Sequence, residues 1–126
     1  TDLIKAEKIR AKLYNNIADF FNDYDFLICP SSSVVPFNHE VKWVKQINTK
    51  VLDNYVSWLM ICGCLSLVNC PCIAIPTSIS MNGTPIGIQI VAPPYQELKL
   101  LKFAKEIEKE INISNLLPID PKDALS

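Results

Sequence analysis

Between Asp53 and Glu97 the chain carries no charged side chain. So long an uncharged run is expected to be almost wholly buried. It is not a membrane span, because Gly63, Asn69, Pro71, Pro76, Asn82, Gly83 and Pro85 interrupt it. A spanning helix needs about 20 consecutive apolar residues with every backbone group paired internally. Glycine is scarce: Gly63, Gly83 and Gly87 are all there are, and they fit neither a dinucleotide-binding turn nor a P-loop. Clustered basic charge is also missing. The 12 basic and 13 acidic residues are interspersed and sum to −1, which argues against nucleic acid as a partner. At the N-terminus there is no Met, no basic n-region and no signal h-region. A start at Thr1 reads as a piece of a longer protein or a processed subunit.

What remains is apolar. Hydrophobic residues make up 49% of 126 residues, with a mean hydropathy of +0.19. A domain of this size buries only about two thirds of its unfolded surface. The chain is therefore expected to be part of a larger core or to pack on a partner. Cys29, Cys62, Cys64, Cys70 and Cys72 are odd in number and lie within apolar runs. They read as reduced, buried thiols of a cytoplasmic protein rather than as a disulfide framework.

Periodicity predicts the elements. Leu3, Ala6, Ile9, Leu13, Ile17, Phe20 and Phe21 recur at helical steps, so residues 1–21 form an amphipathic helix capped by Thr1 and Asp2. A turn follows, then a buried strand over Phe26–Cys29, closed by Pro30 and the serines Ser31–Ser33. Residues 36–51 read as surface loop with a weak helical turn. Residues 53–67 are helical in pattern, with Gly63 marking close packing of another element. Strands are expected over Cys72–Thr77 and Ile86–Ala92, joined by the Asn82-Gly83 turn. The second is so apolar that both faces of its sheet should be covered. Residues 96–111 form a helix with Leu100, Leu101, Ala104, Ile107 and Ile111 inward. Residues 112–126 form a tail.

Residue chemistry alone supplies no convincing catalytic set. Cys62-x-Cys64 and Cys70-x-Cys72 have one intervening residue where common zinc knuckles have two, so no metal is expected and the cysteines read as small packing residues. His39, the single histidine, sits beside Glu40 in a polar loop and reads as a solvated side chain, not as the base of a cysteine nucleophile. Ser31–Ser33 lack a Gly-x-Ser-x-Gly frame and read as a hydroxyl-rich turn.

Three segments in order carry a resemblance: Tyr24-Asp25-Phe26-Leu27-Ile28-Cys29-Pro30-Ser31, Val68-Asn69-Cys70-Pro71-Cys72-Ile73-Ala74-Ile75-Pro76, and Gly83-Thr84-Pro85-Ile86-Gly87-Ile88-Gln89. Together with Leu100-Leu101 they resemble the C-terminal end of an amidase signature family enzyme over nearly the whole of residues 1–111. The last segment matches that family's G-x-P-x-G-x-Q strand position by position. Gln89, polar in an apolar strand, must then find a buried hydrogen-bond partner. Two departures stand out. Asn69 replaces the usual Gly, which a left-handed backbone tolerates, and Cys72 replaces the usual Ala.

The resemblance implies an α/β fold in which this chain supplies strands of a larger mixed sheet covered by amphipathic helices. Residues 1–111 would be the C-terminal portion of the amidase domain. The family cleaves amides with a Ser–cis-Ser–Lys triad, which lies outside the matched region, so the chain alone should be inactive. No cofactor is implied. Members acting on amino-acid amides place a carboxylate near the position where this chain has Leu59, beside Trp58. An apolar or aromatic acyl pocket lined by Trp58, Leu59 and Cys62 is expected instead, although plain core packing accounts for each equally well. The expected partners are the missing N-terminal portion, a small amide substrate and a second copy as a homodimer, with no membrane. A glutaminase subunit of a glutamyl-tRNA amidotransferase and a non-catalytic α/β interaction module stand as alternatives.

Overall fold

The computed structural model describes residues 1–112, and the rest of the expected tail lies outside them. Helix α1 runs Asp2–Asp23, two residues further than the periodicity predicts. Thr1 stands at the cap position, yet its side chain makes no capping bond. Asp2 still places negative charge in the first turn, where the helix dipole favours it. No residue of α1 is buried. Its middle faces the end of the second helix across a groove of about 470 Å³ between Arg10, Tyr14, Leu67 and Asn69.

Strand β1 is Leu27–Pro30. The expected loop beyond it contains one hydrogen-bonded turn, the Val41 amide donating to the Asn38 carbonyl at 2.9 Å, and no helix. It holds instead a two-residue hairpin, β2 (Gln46–Ile47) and β3 (Lys50–Val51), whose bend places Asn48 at φ 51°. The helix expected over 53–67 divides in two. A 3-10 turn spans Tyr55–Leu59 and α2 spans Met60–Ser66. The Asn54 carboxamide sets that start by accepting from the Val56 and Ser57 amides at 3.0 and 3.2 Å. Close packing at Gly63 is absent, since a Cβ there would meet only the Met60 sulfur at 4.0 Å.

Strands β4 (Cys72–Ile79) and β5 (Pro85–Val91) complete an antiparallel sheet of order β1-β5-β4. Gly83 turns the hairpin at φ 75°, and the Ser80 amide donates to the Thr84 carbonyl at 2.8 Å. Helix α3, Glu97–Ile111, follows, and Asn112 closes it in the left-handed region at φ 56°.

Alternation along the strands divides the sheet faces. Ile75 and Ile90 meet Ala92, Leu100 and Ala104 in the core, with Phe26, Ile73, Ile88, Phe103 and Ile107 packed around them. On α3 the inward position belongs to Phe103, which stacks on Phe26 at 4.2 Å, while Leu101 is exposed. Lys99 pairs with Asp25 and lies over the Phe26 ring, tying α3 to the approach of β1. The opposite face carries Cys29, Gln89 and Ala74 in register. Each face is covered only in part: Ile28 is exposed on one, and Cys72 and Ala74 on the other. Complete burial of the uncharged run is therefore not reached within this chain. Val56, Met60, Leu67, Ile79 and Tyr95 are exposed, because three strands and two short coverings offer too little surface to enclose them.

Gly87 is where two backbones touch. A Cβ there would lie 2.6 Å from the Ile75 carbonyl oxygen. Gly87→Ala should lower stability by about 1–3 kcal/mol, the range of overpacking. Gly63→Ala should be neutral or stabilising, because alanine is the better helix former. Denaturant midpoints of the two variants check both expectations.

Candidate functional site

Gln89 is 5% exposed at the centre of β5. Its Nε2 donates to the Pro30 carbonyl at 3.0 Å and to the Ile61 carbonyl at 3.2 Å. Its Oε1 accepts from the Cys72 thiol at 3.5 Å. One buried amide thus joins the end of β1, the start of α2 and β4. The sequence requires such partners and the fold supplies them from three elements.

The serines after β1 are held by the same neighbourhood. The Ser31 amide and hydroxyl both donate to the Gly87 carbonyl, at 3.1 and 3.0 Å. The Ser33 hydroxyl donates to the Trp58 carbonyl at 2.8 Å. The Cys62 thiol donates to the Ser31 carbonyl at 3.2 Å. Ser31 and Ser33 therefore spend their hydroxyls on backbone, in keeping with a hydroxyl-rich turn.

Beside this loop lies a cleft of about 540 Å³. It is lined by residues 30–37, Trp58, Thr77 and residues 85–88. No charged side chain lines it. The Trp58 ring meets Phe37 edge-to-face at 5.7 Å and Tyr55 at 6.2 Å. Its Nε1 is buried with no hydrogen-bond partner among the described residues.

Of the three residues expected to line an acyl pocket, Trp58 stands at the cleft. Leu59 is half-buried in the 3-10 turn outside the lining, and Cys62 turns its sulfur to Ser31 and Gln89. Phe37, Val35 and Thr77 also line the cleft, where sequence reasoning sees only loop and strand. The adjacency of Pro36-Phe37 to the serine run is the signal that could have marked them. His39 is exposed. All five cysteines are free, and among the described residues no group of histidines, cysteines and carboxylates could hold a metal ion. Burial pushes the Cys29 thiol above its ordinary value, opposed by its hydrogen bond with Gln89 and assisted by Cys62 and Cys64. Burial likewise raises Cys70; in Cys72, exposed as a residue, desolvation of the sulfur beside Gln89 raises the thiol, together with Cys29 and Cys62. These thiols stay protonated and are poor nucleophiles at neutral pH. No described helix is long and apolar enough to cross a membrane.

Comparison with known proteins places this geometry. A family model described as Amidase matches residues 1–101. A glutamyl-tRNA(Gln) amidotransferase subunit of Clostridium acetobutylicum is 31% identical over 106 residues, which are 84% of this chain and 21% of that protein. The corresponding subunit of Alkaliphilus metalliredigens is 32% identical over 114 residues, 90% of this chain and 22% of its own length. A solved bacterial aryl acylamidase of the amidase signature enzymes shares the fold with a TM-score of 0.75 at 20% identity, over 84% of this chain and 22% of that one. The chain spans about a fifth of the length of the relatives it matches.

Gln89→Leu should cost about 1–3 kcal/mol, because it leaves the Pro30 and Ile61 carbonyls without their donor, and a denaturant midpoint measures it. The raised thiols carry a pH expectation. A fold that favours the neutral thiol is stabilised fully below the unfolded thiol's pKa and loses that stabilisation as pH rises through the folded value. Stability should therefore fall from about pH 9.0 upward. The fall should be shallower in Cys29→Ala, and an unchanged slope would remove Cys29 from the account.

Proposed function

Because the chain belongs to the amidase family, we propose that it is the C-terminal part of a longer enzyme that hydrolyses carbon–nitrogen bonds of apolar or aromatic amides to carboxylate and ammonia or amine. The observation that carries this reading is the family match over residues 1–101 in a chain whose own cleft holds no charged side chain. Activation of a serine needs a base within hydrogen-bond reach. Ser31 and Ser33 face backbone carbonyls instead. The Ser–cis-Ser–Lys triad implied by the resemblance then belongs to the remainder of the enzyme, and this chain alone is inactive. Its contribution is core strands and a wall of the acyl pocket, with Trp58 at the cleft and Leu59 and Cys62 supporting it. Five free thiols fit a reducing cytoplasm.

A second reading has an observation in its favour. The two bacterial relatives above are amidotransferase subunits, which would make this chain part of a glutaminase subunit that works within a complex. Apolar Leu59, near the position at which the resemblance implies a carboxylate for a substrate ammonium, favours the first reading.

A serine-directed covalent probe offered to the whole protein that contains this chain should label it outside residues 1–126 and abolish ammonia release from simple amides. Labelling of Ser31, Ser32 or Ser33, or hydrolysis by residues 1–126 alone, would sink the assignment.

A further inference from the structure

The Asn82-Gly83 pair at the tip of the β4–β5 hairpin carries a chemistry that the amidase reading does not use. We propose that Asn82 is a site of spontaneous deamidation, at which the Gly83 amide nitrogen closes on the Asn82 side chain, and that a clamp between Ser80 and Thr84 sets how fast this happens.

The reaction is intramolecular and takes no partner but water. The Gly83 nitrogen bonds to Asn82 Cγ, the Cγ–Nδ2 bond breaks, and ammonia leaves with the Gly83 amide proton. Water then opens the five-membered imide at either carbonyl, giving aspartate or isoaspartate at position 82. Nothing is oxidised or reduced. Of the asparagines in the chain, Asn82 alone is followed by glycine, whose lack of a side chain leaves the attacking nitrogen unhindered. Asn82 is exposed, and its carboxamide makes no hydrogen bond among the described residues. The carboxamides of Asn38 and Asn54, by contrast, accept from backbone amides. A Cβ on Gly83 would meet nothing within 4 Å, so the ring has room to form. What holds the reaction back is the turn itself. The Gly83 amide donates to the Ser80 carbonyl at 2.9 Å, and a hydrogen-bonded N–H does not give up its proton until the turn opens. The Ser80 and Thr84 hydroxyls lie 2.7 Å apart in a hydrogen bond, and the Thr84 amide donates to the Ser80 hydroxyl at 3.2 Å. Ser80 thus closes the turn with its side chain as well as its backbone. Isoaspartate routes the main chain through the β-carbon and lengthens the turn, so the modified hairpin loses the Ser80–Thr84 pairing that aligns β4 on β5.

The test incubates the whole protein containing this chain in mildly alkaline buffer and follows the peptide that includes residue 82 by mass spectrometry. Isoaspartyl methyltransferase serves as the reagent for isoaspartate. That peptide should gain the mass difference between an amide and an acid and should accept a methyl group. Asn82→Gln, whose ring would be six-membered and slow to close, should abolish both changes. Ser80→Ala and Thr84→Val should each speed the mass gain about 2–10-fold, the worth of one net hydrogen bond, with hydrogen exchange faster at residues 80–84 and unchanged at Ile90. Incubated protein should have a lower denaturant midpoint, whereas Asn82→Asp, with the charge on an unaltered main chain, should keep the original one. A peptide that gains mass only in denatured protein would mean that the folded enzyme holds the turn shut, and would overturn the proposal. Unchanged rates in both clamp variants, or acceleration accompanied by faster exchange at Ile90, would overturn the role of the clamp.

Discussion

An amide side chain in an apolar strand must be hydrogen-bonded or it costs several kcal/mol, and Gln89 meets that demand across three elements. Its two N–H groups reach the carbonyls of Pro30 and Ile61, which sets where β1 ends and how α2 lies over the sheet. With Pro30 placed, Ser31 falls opposite Gly87 and bonds to its carbonyl. Gly87 in turn must lack a Cβ, because Ile75 approaches from β4. Ser33 then reaches Trp58, and the cleft opens between that loop and the β4–β5 ladder. The position of that cleft follows from one buried residue, whose chain neighbour Ile88 lines it and whose Nε2 holds the Pro30 carbonyl at its edge.

The same geometry leaves the sheet unfinished. Helix α3 closes over β4 and β5 on one face and leaves Ile28 exposed. On the other face α2 reaches Gln89 and leaves Cys72 and Ala74 exposed. Helix α1 carries Leu3 at 73% and Ile9 at 70% exposure. Apolar surface of this extent on a small domain ordinarily marks an interface. The chain spans about a fifth of its relatives, and on the proposed reading the rest of an amidase would supply the missing cover, whereas an independent interaction module would have to keep that surface in water.

How much of this is readable in the residues varies with how local each determinant is. The β5 strand, the Asn82-Gly83 turn and the need for a partner at Gln89 depend on residue type and near neighbours, and they appear where they are expected. The split of residues 53–67 into a 3-10 turn and α2 turns on the Asn54 cap, a signal that competes with the helical stripes around it. The small hairpin at Asn48 lacks a glycine and so hides as loop. On α3 two apolar stripes overlap, and only the position of Phe26 decides that Phe103 and not Leu101 faces inward. The cleft depends on three segments far apart in sequence, so Phe37 stays hidden while neighbouring Trp58 does not. Burial of the uncharged run is overestimated because composition does not report how little cover three strands and their short helices can offer.

The most direct measurement is the native mass of the protein that carries residues 1–126, purified from its own source. The account predicts a mass several-fold above the 14.2 kDa of this chain, as one longer polypeptide or as a tight complex with the catalytic remainder. A soluble, well-folded monomer of 14.2 kDa would contradict it.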